Sequence, residues 1–125
     1  MNNKMVFGIG VDIIEVDRIQ KLAEKSPRFL NRVFTGEEIQ YCTGKKNKYQ
    51  HLAARFAAKE AFFKALGKKI NWTDVGIVNL PSGKPEMVLK SPELFPFDKT
   101  HVSVSHIQDY AIAYVVLEKK GPSKD

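Results

Sequence analysis

Asp12, Glu60 and Lys64 are the residues from which a chemistry can be read in this sequence. Glu60 and Lys64 stand four apart in RFAAKEAFFKALG (residues 55–67), so a helix puts them on one face about a turn from each other. Such a pair is ordinarily an exposed ion pair that adds a little helix stability. Asp12 changes its weight. It lies in the apolar run MVFGIGVDII (residues 5–14), where a carboxylate is costly unless paired, hydrogen-bonded or on a metal. The same Asp stands three residues ahead of a helical pattern, so a capping role stays open beside the ligand role. If Asp12 and Glu60 converge, two carboxylates with no Cys/His ligand set suggest a hard cation held through oxygen. Mg²⁺ fits, because it takes one or two protein carboxylates and fills its other positions with water and substrate phosphate. Lys64 is spaced to neutralise that phosphate.

Residues 5–14 alternate as a strand, with Phe7, Ile9, Val11 and Ile13 on one face and Gly8, Gly10 and Asp12 on the other. The two glycines leave room for another backbone or a ligand. The segment around Glu60 lacks Pro and internal Gly, holds Ala57, Ala58, Ala61 and Ala65, and predicts a long helix from near Tyr49 to a Gly67 cap. Between them, Val16 to Lys25 is amphipathic, with Ile19, Leu22 and Ala23 inward and Arg18, Lys21 and Lys25 outward. Ser26 and Pro27 read as the N-cap and first position of a short helix bearing Phe29, Leu30 and Val33, beside Arg28 and Arg32. Thr35 and Glu38 spell a capping box that opens a helix to about Tyr41. Beyond Asn71 the pattern turns to strands: Val75, Ile77 and Leu80, then a Pro81-Ser82-Gly83 turn and Met87–Leu89. His101–His106 and Tyr110–Glu118 form a hairpin about Ile107–Asp109. The fold class is α+β: an antiparallel sheet of residues 5–14 and the C-terminal strands, packed against helices with one long central helix. One domain spans residues 1–118, and 119–125 is a polar tail.

The chain of 125 residues carries a net charge of +6, unevenly spread. Residues 1–70 hold 14 Lys/Arg against 7 Asp/Glu, and residues 71–125 hold 6 against 7. The cationic surface of the helical half favours an anionic partner: nucleic acid, an acidic protein or a phosphorylated metabolite. No apolar run approaches the ~20 residues of a membrane helix, and the N-terminus lacks the pattern of a signal peptide. The single Cys42 fits a reducing compartment, so a cytoplasmic location is expected.

GIGVDIIEVDRI and RFAAKEAFFKALG resemble the paired signatures of the 4′-phosphopantetheinyl transferases, of the small stand-alone kind. The likeness takes in FTGEEIQY between them, Gly83-Lys84-Pro85 and HVSVSH at 101–106, in the family's order. The resemblance implies the family's α+β fold and its reaction: transfer of the 4′-phosphopantetheine arm of coenzyme A to a serine of apo acyl carrier protein, releasing adenosine 3′,5′-bisphosphate in support of fatty acid biosynthesis. Matched residue by residue, it makes Asp12 and Glu60 ligands of Mg²⁺, Lys64 a phosphate contact, and Glu60 and Lys64 the catalytic residues. It makes Arg55, Lys64, Ser82, Gly83, Lys84, Pro85 and His106 contacts of coenzyme A, with Ser82 standing where an Asn is frequent. Acyl carrier proteins are acidic, so Arg18, Lys25, Arg28 and Arg32 become their docking face. The family's short members are homotrimers with active sites shared across subunit boundaries, and this too is implied.

Two other readings compete on the residues alone. A nucleic-acid-binding protein is permitted by a pI near 9.4. Against it, carboxylates interrupt the basic stretches, and most Phe and Tyr residues fall at core-like spacings. A basic adaptor for acidic proteins is the second, and it would have no use for Asp12 and Glu60.

Overall fold

A computed structural model describes residues 3–122. The expected elements form, with strands β1 (Lys4–Glu15), β2 (Val75–Asn79), β3 (Pro85–Leu89), β4 (Lys99–His106) and β5 (Tyr110–Lys120). The helices are α1 (Val16–Lys25), α2 (Phe29–Val33), α3 (Gly36–Thr43) and α4 (Lys48–Leu66). The expected antiparallel sheet of residues 5–14 with C-terminal strands forms, and it takes in only three of the five strands. β1, β5 and β4 pair antiparallel in that order, while β2 and β3 form a separate hairpin. Leu80 falls outside β2, in the turn, where its amide bonds the Lys84 carbonyl at 2.9 Å.

Helix α4 lies across the three-stranded sheet because both surfaces are stripped of side chains. A Cβ at Gly10 would stand 1.9 Å from the Ala61 carbonyl oxygen, and one at Gly8 1.9 Å from that of Ala65. Any larger residue there would push β1 off the helix. Ala57, Ala58 and Ala61 are buried on α4, and Ala111, Ala113, Val115 and Leu117 form the inward row of β5. Phe62 fills the interior, edge-on to Phe95 and Phe97; burying a ring of this size contributes ~1.5–3 kcal/mol.

The glycine-and-Asp face of β1 is therefore the inner one, and the Ile9, Val11 and Ile13 face looks outward, 57%, 44% and 63% exposed. Phe7 leaves that row. A register slip between Val6 and Gly8 turns it to the helix side, where its ring meets Phe97 at 6.1 Å.

Local signals held where chain chemistry decides them. The Thr35–Glu38 capping box has both of its hydrogen bonds, at 3.2 and 2.9 Å. Gly67 closes α4 in the left-handed conformation. Ser26 is a correction: it ends α1, its amide on the Leu22 carbonyl, and α2 starts later, at Phe29, after a Pro27-Arg28 turn. The strand before the tail runs past Glu118, since Lys119 and Lys120 pair with Met5 and Lys4. Gly121 and Pro122 are tied to Asn3, and the rest of the expected tail lies outside the described residues. Cys42 is fully buried, and burial pushes its thiol up to about 11, so it packs and does not react. Among the described residues no helix is long and apolar enough to cross a membrane.

Candidate active site

The close approach at Gly8 and Gly10 lays the β1 segment that carries Asp12 against the α4 stretch that carries Glu60 and Lys64, along one seam. Asp12 lies two residues beyond Gly10 on the inner face of β1, and Glu60 adjoins Ala61 on α4. Both carboxylates are half-buried, with side chains 18% and 23% exposed. Lys64 crosses the seam. Its ammonium donates to the Val11 carbonyl at 2.9 Å and to Asp12 Oδ1 at 3.3 Å. The helix-face pairing of Glu60 with Lys64 is thus replaced: Lys64 pairs with Asp12, and Glu60 has Lys69 at 3.7 Å. Asp12 does not cap α1, whose first turn has no side-chain cap.

These contacts leave the acids usable. Each meets one lysine at more than 3 Å, longer than a strong charge-assisted bond. No group of three or more His, Cys, Asp or Glu that could hold a metal occurs among the described residues, and the acids offered at this seam are the two carboxylates of Asp12 and Glu60. That is a poor zinc site and a good match for a hard, oxygen-seeking cation that brings its own waters.

The other predicted contacts gather elsewhere. Arg55 is 4% exposed, with its guanidinium 4.5 Å from the Tyr41 ring centroid and one nitrogen donating to the Asn79 side-chain oxygen. Asn79 in turn donates to the Gly83 carbonyl at 2.9 Å. This holds the turn of Ser82, Gly83, Lys84 and Pro85, in which Gly83 has φ +91° and the Lys84 amide bonds Ser82 Oγ at 3.3 Å. His106, at the end of β4, has Nδ1 2.9 Å from Gln50 Oε1 and its ring 5.0 Å from that of His51. His51 lies edge-on to Tyr41 at 5.8 Å. Burial, then the charges of His106, Arg55 and Lys45, holds its imidazole below its ordinary value of 6.5. Arg55, the 82–85 turn and His106 are therefore linked through Tyr41, His51, Gln50 and Asn79, which the sequence reading missed. His51 stands four before Arg55, the one spacing that could have marked it.

Within one chain the two clusters do not meet. At ~100° per residue, Glu60 and Lys64 lie ~140° and ~180° around α4 from Arg55. One flank faces β1, and the other faces α3 and the β2–β3 hairpin. Arg18, Lys25, Arg28 and Arg32 are all exposed, and none forms an ion pair among the described residues. A groove of about 520 Å³ runs along α1 beside Arg18, Lys21 and Lys25. A second cleft, of about 650 Å³ at Met87, Phe95 and Phe97, touches none of the predicted site residues.

Residues 8–115 match the model of the 4′-phosphopantetheinyl transferase superfamily. A holo-[acyl-carrier-protein] synthase of Geotalea daltonii is 47% identical over 125 residues, covering 92% of this chain and all of that one. A crystal structure of such a synthase from Bacillus anthracis, in complex with CoA (3′,5′-ADP), has a TM-score of 0.81 and 36% identity over 92% of this chain and 98% of its own. The Helicobacter pylori synthase in complex with coenzyme A has a TM-score of 0.79 and 33% identity, over 87% and 98%. The match over nearly the whole chain, together with the paired signatures at the β1–α4 seam, shows that this chain belongs to the 4′-phosphopantetheinyl transferase superfamily, among its holo-[acyl-carrier-protein] synthases.

Proposed function

We propose that the protein transfers 4′-phosphopantetheine from coenzyme A to a serine of apo acyl carrier protein, in the cytoplasm, in service of fatty acid biosynthesis. The observation that carries this is the seam itself: half-buried Asp12 held by Lys64, and half-buried Glu60 one helical turn before that lysine and paired only loosely with Lys69. Asp12 and Glu60 would hold Mg²⁺, which when bound supplies charge neutralisation to the diphosphate. Lys64 has spent two of its three N–H groups on β1 and directs the third at phosphate. The serine oxygen forms a bond to the β-phosphorus as the bond from that phosphorus to the bridging oxygen breaks, and adenosine 3′,5′-bisphosphate leaves. Glu60 accepts the serine proton. Such a step gains from positioning and electrostatics, with no covalent enzyme intermediate needed.

Coenzyme A carries a third phosphate on its ribose, remote from the diphosphate. Arg55, His106 and the Ser82-Gly83-Lys84-Pro85 turn are the cationic and amide-rich cluster suited to it. Because that cluster and the seam lie on opposite flanks of α4, one coenzyme A bridges a seam of one subunit and a cluster of the next. The outer sheet face supports such assembly. Val11 opposes Tyr114 and Ile13 opposes Ile112 in register, giving an exposed apolar ladder suited to a homotrimer interface. Arg18, Lys25, Arg28 and Arg32 dock the acidic carrier.

Incubation with coenzyme A, Mg²⁺ and an apo carrier protein, followed by weighing of the carrier, tests the proposal. The added pantetheine arm is expected with the native chain and absent with Asp12→Ala or Glu60→Ala, both folded by circular dichroism. Full transfer by either variant rules out the seam as the reacting site.

A further inference from the structure

Arg55 is almost wholly buried, yet no carboxylate of the described residues forms an ion pair with it. A guanidinium stays charged at any ordinary pH, so its burial without a counter-charge is costly. The other deeply buried cation, Lys59, has its carboxylate at 2.6 Å. Arg55 has neutral partners instead: the Tyr41 ring at 4.5 Å, the Asn79 amide, and nothing at all on Nε among the described residues. A second cation shares the same ring, with the Lys45 ammonium 4.6 Å from its centroid. The aromatic face attracts both charges through its quadrupole without neutralising either.

We infer that Tyr41, with Asn79, is a positioning residue that keeps Arg55 and Lys45 gathered but uncompensated, so that an anionic phosphate of the substrate completes the pairing. A carboxylate at position 41 would stabilise the same two cations and compete with that phosphate. The inference rests on the assignment of Arg55 to the ribose phosphate of coenzyme A.

The experiment compares the KM for coenzyme A with that for dephospho-coenzyme A, which lacks the ribose phosphate and keeps the diphosphate. Tyr41→Glu is expected to raise the KM for coenzyme A at least about tenfold more than that for the dephospho form, the order of one charge-assisted hydrogen bond. Tyr41→Phe, which retains the ring, restores the native ratio. Lys45→Gln, at an exposed position where folding is not at stake, raises the ratio about threefold. A packing role alone would move both KM values together, and that result for Tyr41→Glu and Lys45→Gln overturns the inference. Arg55→Ala separates the two layers. If it discriminates between the substrates while Tyr41→Glu does not, the role of Tyr41 falls alone. If Arg55→Ala does not discriminate, the assignment of Arg55 falls and takes this inference with it.

Discussion

Removing one member of the Glu38–Lys59 pair should cost more stability than any surface change. The pair is 2.6 Å apart, with side chains 1% and 0% exposed. Lys59 also donates to the carbonyls of Val33 at 2.7 Å and Trp72 at 3.0 Å. Glu38 accepts from the amides of Thr35 and Ile77. One ion pair thus joins α2, α3, α4 and β2. Lys59→Met leaves a buried carboxylate without its cation, an imbalance of about 3–5 kcal/mol, against a total of about 6–19 kcal/mol for a chain of this length at ~0.05–0.15 kcal/mol per residue. Glu38→Gln leaves Lys59, whose pKa burial already lowers from 10.5. The lone ammonium can shed its proton, which caps its penalty at roughly 3 to 5 kcal/mol between pH 8 and pH 7. The folded variant then holds one proton fewer than the unfolded chain, so its deficit shrinks as pH rises, by up to ~1.4 kcal/mol per pH unit. Glu38→Gln with Lys59→Met buries no charge and keeps an acceptor for the capping box, so it should recover at least ~2 kcal/mol relative to the sum of the single changes. Urea unfolding at fixed protein concentration, at pH 7 and 8, measures all of these. A Lys59→Met loss below ~1 kcal/mol, or a double variant as unstable as the summed singles, would refute the reasoning.

Reversing charge at Arg18 and Arg28 should raise the carrier-protein KM tenfold or more, by the steering of an acidic partner, and leave the coenzyme A KM within about twofold; equal effects would remove the docking face. Native stability should decline as pH falls below 6.5, because the unfolded chain protonates His51 before the folded one does. His51→Phe should flatten that part of a thermal-unfolding series, and an unchanged slope would assign the loss elsewhere. Sedimentation should give three subunits for the native chain and a lower mass with little activity for Ile13→Asp, which puts charge on the outer apolar ladder. A fully active monomer would end the shared-site proposal.

Legibility tracked how local the physics is. The capping box, the Gly67 stop, the amphipathic α1 and the alternating hairpin of β4 and β5 depend on near neighbours, and all could be read from residue order. The Ser26-Pro27 helix start failed because Ser26 closes α1, its amide on the Leu22 carbonyl, and Pro27 and Arg28 make a turn before α2 begins at Phe29. Asp12, Glu60 and Lys64 were legible by type and spacing, yet their partners were not. Lys64 is drawn to Asp12 and the Val11 carbonyl only because glycines let β1 come within reach of α4.

By itself, then, the sequence determined the elements, the kinds of group able to do chemistry and the family, since propensity, caps and motif order act along the chain. Tertiary structure alone decided which face of β1 turns inward, that Glu38 meets Lys59, that Arg55 is buried among neutral partners, and that the seam and the Arg55 cluster lie on opposite flanks of one helix. The reason is that burial and charge pairing are set by surfaces from distant segments meeting in space, and no window of sequence holds both surfaces at once.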